Sequence, residues 1–116
     1  MKRAIKINAE KGCTEIVRWA SLEDLQKHCG GLIERVEVGA LPDCSILVDE
    51  EGLFKDYRYG FILKGYPNIL CGNGLVVGDD GEQFIGTQID EKSVEDVISF
   101  LIIEDTLPGE PKNVSV

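Results

Sequence analysis

The residues best suited to chemistry lie between positions 54 and 73. Lys55-Asp56-Tyr57-Arg58-Tyr59 and Lys64-Gly65-Tyr66-Pro67-Asn68 bring cations, phenols and an amide into one stretch, with Asn73 just beyond it. Arginine and tyrosine recognise an anionic or planar ligand by forked hydrogen bonds and stacking, and the same composition suits a protein interface. The candidate ligand-binding residues are Tyr57, Arg58, Tyr59, Lys64, Tyr66, Asn68 and Asn73. A plainer reading competes: Tyr57, Tyr59 and Phe61 alternate, as they would along one face of an edge strand.

Other constellations are weaker. Asp49-Glu50-Glu51 and Asp79-Asp80-Glu82 offer carboxylate oxygens of the kind hard divalent cations take. Each cluster also holds the glycine its turn requires, Gly52 or Gly81, which favours solvated turns. Gly72-Asn73-Gly74 lacks the third glycine at the dinucleotide-binding position, and a strand follows where that motif needs a helix. His28 is the lone histidine, and its neighbour Cys29 diverges from it on a helix, so a Cys-His nucleophile is not expected there. Cys13, Cys29, Cys44 and Cys71 form no C-x-x-C pair, so they read as small buried thiols of a reducing compartment. No catalytic residue, metal ligand or cofactor is assigned.

Bulk composition sets the frame. A chain of 116 residues with 43% hydrophobic content suits one domain with its own core. Its formal charge of −9 disfavours direct binding to nucleic-acid phosphates and to an anionic membrane surface. No apolar run approaches a transmembrane span, and Met1–Ile7 lacks the long apolar core of a signal peptide. The expected location is the cytoplasm.

The elements that must position these residues follow from periodicity and punctuation. Residues 2–8 and 14–19 read as a hairpin. Ser21 caps a helix over 21–29, with Asp24 as the acidic partner of a capping box, Lys27 and His28 in the last turn, and Gly30-Gly31 as the stop. Strands follow at 32–38, 46–48, 74–78 and 83–88, and the segment 53–73 reads as irregular, with a short strand near 60–63. Val94, Val97, Ile98, Leu101 and Ile102 recur at helical spacing, so Ser93 is expected to start a second helix over 93–103. Pro108-Gly109-Glu110-Pro111 then opens a flexible tail over 106–116. The expected fold is a single α+β domain over 1–105: a mostly antiparallel sheet with two helices, about 21–29 and 93–103, packed on one face.

Several motifs in order carry a family resemblance. Lys2-Arg3-Ala4-Ile5-Lys6-Ile7-Asn8-Ala9-Glu10 opens the chain, and Leu22-Glu23-Asp24-Leu25-Gln26 leads into Gly30-Gly31-Leu32-Ile33-Glu34. Val48-Asp49-Glu50-Glu51-Gly52-Leu53 and Gly72-Asn73-Gly74-Leu75-Val76-Val77-Gly78 complete the set. Over residues 2 to 100 the chain resembles domain-of-unknown-function family three-eight-four-six. The resemblance implies a bacterial, phage or mobile-element setting and brings no catalytic residues with it.

The reading that ranks first is a non-catalytic binding module of a phage or mobile element. It would engage a host protein or a small anionic ligand, such as a nucleotide, through residues 54–73. The second is an acidic DNA mimic that inhibits a host nucleic-acid enzyme, with carboxylates of 79–96 and 104–110 along one face. The third is a metal-dependent hydrolase built on the acidic turns. Exposed sheet edges also make a homodimer an expectation.

Overall fold

The computed structural model describes residues 1–37, 39–104 and 113–115. The chain opens with the hairpin β1 (Lys2–Asn8) and β2 (Cys13–Trp19), paired from Lys2 opposite Trp19 to Asn8 opposite Cys13. Helix α1 (Leu22–Cys29) follows at once. Both bonds of its capping box form: Ser21 Oγ accepts from the Asp24 amide at 3.3 Å and Asp24 Oδ2 from the Ser21 amide at 3.2 Å. Gly30 ends it in the left-handed region, φ 93°, where a side chain would be strained.

Strands β3 (Ile33–Glu37), β4 (Cys44–Asp49) and β7 (Gly74–Asp79) join the first hairpin in one antiparallel sheet of order β2-β1-β7-β4-β3, with the short β8 (Phe84–Ile85) against β7. Strands β4 and β7 are buried along most of their length because both faces of this sheet are covered. On one face Leu47, Leu75 and Val77 pack with Leu25, Cys29 and Trp19 beneath α1. On the other, Ile5, Ile7, Ile46, Val48 and Val76 meet Phe61, Leu63 and Val94. Each such fully buried side chain contributes roughly 1.5–3 kcal/mol relative to an exposed one.

Phe61 and Leu63 belong to a second antiparallel sheet. It contains β5 (Tyr59–Leu63), β6 (Leu70–Cys71), β9 (Ile98–Glu104) and β10 (Asn113–Ser115), in the order β10-β9-β5-β6. The α+β class and the antiparallel pairing agree with the sequence reading. The layering does not: α1 covers one face of the first sheet and a second sheet covers the other, in place of two helices on a single sheet. The expected strand near 60–63 is β5, and it lies between β9 and β6.

The expected helix over 93–103 is corrected. Helix α2 spans Glu91–Glu95, is capped by Asp90 and not Ser93, and gives way to β9. Ile98, Phe100 and Ile102 pair with Leu63, Phe61 and Tyr59 across the strands. The β-branched and aromatic run 98–103 satisfies a strand period as well as a helical one, and pairing with a distant strand decides between them. The expected tail falls mostly outside the described residues, and three of its positions, Asn113–Ser115, pair with β9 as β10. No helix among the described residues is long and apolar enough to cross a membrane.

Candidate functional site

Strand β4 ends on Asp49, whose side chain is wholly buried. One of its oxygens, Oδ2, accepts from Lys55 Nζ and from the Tyr57 hydroxyl, each at 2.7 Å. The other, Oδ1, accepts from the Glu51 amide at 2.9 Å, which closes a tight turn directly after the strand. Lys55 also donates to the Gly30 carbonyl at 3.0 Å, so one ammonium ties the loop to the end of α1. Burial pushes the Asp49 carboxyl upward. The bonds from Lys55, Tyr57 and the Glu51 amide, with the Lys55 charge, outweigh it and hold the group below its ordinary range. Burial and then the bond to Asp49 push the Tyr57 phenol well above its ordinary range.

Glycines make room for this cluster. A Cβ on Gly30 would stand 2.6 Å from the Tyr57 hydroxyl, and one on Gly31 would stand 2.8 Å from Lys55 Nζ. A Cβ on Gly72 would meet the Tyr57 ring at 3.1 Å. The chain between the anchors, Glu50 to Lys55, carries Leu53 and Phe54 at its apex, 60% and 89% exposed.

The seven residues singled out in the sequence fall in separate places. Tyr57 points inward onto Asp49, and its ring lies 5.7 Å from that of Tyr59, with the planes inclined at 54°. Tyr59 packs partly into the core on β5, where burial and the nearby Glu10 raise its phenol. Arg58 is exposed, 3.8 Å from the Asp56 carboxylate. Lys64 and Tyr66 line a groove of about 350 Å³ with Glu37. Tyr66 and Asn68 border a smaller cleft of about 130 Å³ beside Asp49 and Cys71. Asn73 works for the fold: its Oδ1 accepts from the Ala9 amide at 2.8 Å and pins the β1–β2 turn.

The acidic turns do not converge either. Asp49 is buried while Glu50 and Glu51 are exposed. Asp79 Oδ1 accepts from the Gly81 amide, and Asp80 Oδ1 from the amides of Glu82 and Gln83. Among the described residues no three carboxylate, thiol or imidazole side chains gather about a common point. His28 Nε2 lies 3.3 Å from the Arg18 carbonyl oxygen, whereas Cys29 Sγ donates to the Leu47 carbonyl inside the core at 3.4 Å. Burial, with a smaller contribution from Asp49, pushes the Cys29 thiol up to about 12, which leaves it inert as a nucleophile.

Two arrangements escaped the sequence reading. One is Asp49 as a buried hub, signalled only by an aspartate closing the apolar run Ile46-Leu47-Val48. The other is a second hub at Asp79, where Oδ2 accepts from the Ser45 hydroxyl at 2.7 Å and from Arg35 Nε at 2.9 Å.

A family model described as "Domain of unknown function (DUF3846)" matches residues 1–98. The chain belongs to this family. The matched DUF3846 region takes in the whole first sheet, α1, α2, β5 and β6, and with them both aspartate hubs and the Leu53–Phe54 loop. No curated protein and no solved structure matches the chain.

Proposed function

We propose that this DUF3846 chain is a non-catalytic binding module of a phage or other mobile element, and that it engages a host protein through the loop 50–58. One observation carries the reading. Phe54, 89% exposed, and Leu53, 60% exposed, stand at the apex of a loop that a fully buried carboxylate fastens at its base. A preformed apolar knob loses little conformational entropy on docking, and an exposed aromatic on a fixed loop is the usual kind of interface anchor. The same geometry weighs against a small anion as the ligand. Lys55 and Tyr57 already donate to Asp49, so two of the groups suited to an anion serve the loop itself. The phage or mobile-element origin rests on the family resemblance.

The test uses the purified chain as bait in a bacterial lysate, followed by titration of the retained, identified protein against wild type and a Leu53→Ser/Phe54→Ala variant. The expected result is one saturable partner whose affinity falls at least about tenfold in the variant, the effect of truncating one aromatic anchor. Equal binding by the variant overturns the reading. So does thermal stabilisation of the wild type by a nucleotide that Arg58→Ala abolishes, which would restore the small-ligand form.

A further inference from the structure

We propose that two copies of this chain associate edge to edge through β3, antiparallel, about a twofold axis at Val36. The surface is separate from the Leu53–Phe54 loop and does not depend on its role.

The inference starts from the sheet edges. Strand β3 pairs with β4 on one side and, among the described residues, carries no strand on the other. An unpaired edge presents a row of amides and carbonyls that a further strand satisfies. The opposite edge of the same sheet, β2, is guarded. The Thr14 hydroxyl there lies 3.0 Å from Glu91 and 2.8 Å from Glu95 of α2, and His28 sits on the Arg18 carbonyl. In the second sheet the end strands β6 and β10 are two and three residues long. Strand β3, with five residues, is the longest unguarded edge among the described residues.

Charge then selects the occupant and its register. A twofold axis normal to the sheet keeps every residue on its own face, so the axis must pass through one residue. Centred on Arg35, the pair would set guanidinium against guanidinium. Centred on Glu34 or Glu37, it would set carboxylate against carboxylate. Centred on Val36, it sets Arg35 opposite the partner's Glu37 and Glu37 opposite the partner's Arg35, with the two valines between them. Opposite charges directly across a strand pair stabilise it, and like charges destabilise it. Arg35 is half exposed: its Nε reaches inward to Asp79 and Ser45, while its terminal nitrogen lies 2.8 Å from Glu37 of its own chain, so the pairing of these two charges already exists along the edge. The dimer would convert each such pair into a four-charge network. A strand that is charged against other partners is self-complementary in this one register.

An interface of one short strand lies at the low end of the size range, so association is expected at roughly tens of micromolar. Sedimentation velocity from roughly 5 to 500 µM brackets that value. Wild type is expected to pass from 12.8 kDa to twice that mass. Glu37→Lys is expected to weaken the dimer at least about tenfold, since it creates two like-charge pairs. Glu37 is 76% exposed, so the variant keeps its fold, which circular dichroism verifies. Glu15→Lys on the guarded β2 edge is expected to leave association unchanged. A wild type that stays at 12.8 kDa throughout overturns the proposal. So does a dimer that Glu37→Lys leaves intact, or one that Glu15→Lys weakens instead.

Discussion

The two central strands end on aspartates, and the two ends solve the same problem at different depths. Asp49 closes β4 and accepts from a cation (Lys55), a hydroxyl (Tyr57) and the amide two residues on (Glu51). Asp79 closes β7 and accepts from a cation (Arg35), a hydroxyl (Ser45) and the amide two residues on (Gly81). Since β4 and β7 run antiparallel, the trios sit at opposite ends of the sheet, on the face that α1 covers. They differ in what is fastened. Lys55 and Tyr57 come from the loop that follows Asp49, so the first trio locks a loop. Arg35 and Ser45 come from neighbouring strands, so the second ties β3, β4 and β7 together at the rim. They differ also in solvent: the Asp49 side chain is fully buried, and the Asp79 side chain keeps 11% of its exposure. The lesson is that a carboxylate at a strand end gains weight with burial, because a buried donor that loses its acceptor finds no water to replace it.

The sharpest break of this comparison removes each carboxylate. Asp49→Ala strands a phenol, an amide and a partly exposed ammonium around a dry site. It is expected to cost roughly 3–4 kcal/mol, near the value for breaking a buried pair and lowered by the exposure of Lys55. Asp79→Ala leaves a half-exposed guanidinium that water can reach and a buried Ser45 hydroxyl that Arg35 still contacts, and it is expected to cost distinctly less. Urea denaturation at pH 7 measures both. Equal losses would show that burial does not set the difference. Limited proteolysis adds a second readout: Asp49→Ala should open cleavage between residues 50 and 58, and Asp79→Ala should not.

A smaller break uses the glycines beside each trio. Gly72 and Gly81 share the left-handed region, at φ 88° and 92°. A Cβ on Gly72 would press on the Tyr57 ring at 3.1 Å, while one on Gly81 meets nothing within 4 Å. Gly81→Ala carries the backbone strain alone, about 1 kcal/mol. Gly72→Ala adds the displacement of a packed ring and is expected to reach about 2–3 kcal/mol. Matching losses would mean that the Tyr57 ring yields without resistance.

What the sequence disclosed follows the range of the forces involved. Ser21, Asp24 and Gly30 define α1 through contacts within a few residues, and that helix is legible to its last turn. The hairpin 2–19 is legible because its two alternating runs are joined by a short turn. Residues 98–103 were not legible, because Ile98, Leu101 and Ile102 fit a helical stripe until β5 offers Tyr59, Phe61 and Leu63 as partners. The chemistry of 54–73 was half legible. The types of Lys55 and Tyr57 marked a segment rich in donors that reads as facing a ligand, whereas both donate to Asp49. Their direction depended on Gly30, Gly31 and Gly72, which the fold brings from distant elements to wall in Asp49. The ordered motifs from Lys2 to Gly78 identified the family because that order survives without any long-range information.

The subtlest separation of the two ends is by pH. Both carboxyls titrate below their ordinary range in the folded chain, Asp49 against its burial and Asp79 mainly through the bonds from Ser45 and the Gly81 amide. A depressed carboxyl stabilises the fold above its unfolded value, about 3.9, and that contribution disappears as the pH drops through the folded value. Stability is therefore expected to decline from about pH 5 downward. Replacing either aspartate with asparagine should flatten part of that slope. The phenol of Tyr57 acts at the other extreme. Its folded value lies above the unfolded one, so the proton it keeps stabilises the fold up to about pH 10 and the benefit fades as the pH climbs further. Tyr57→Phe should remove the Tyr57 share of the alkaline decline, leaving that of Tyr59 and Cys29, and Asp49→Asn should reduce it, because burial and the bond to Asp49 together raise the phenol. Asp79→Asn should leave the alkaline limb untouched. Denaturation midpoints across both limbs for the three variants give the comparison, and an alkaline limb that Asp79→Asn alters as much as Asp49→Asn would break the separation of the two ends.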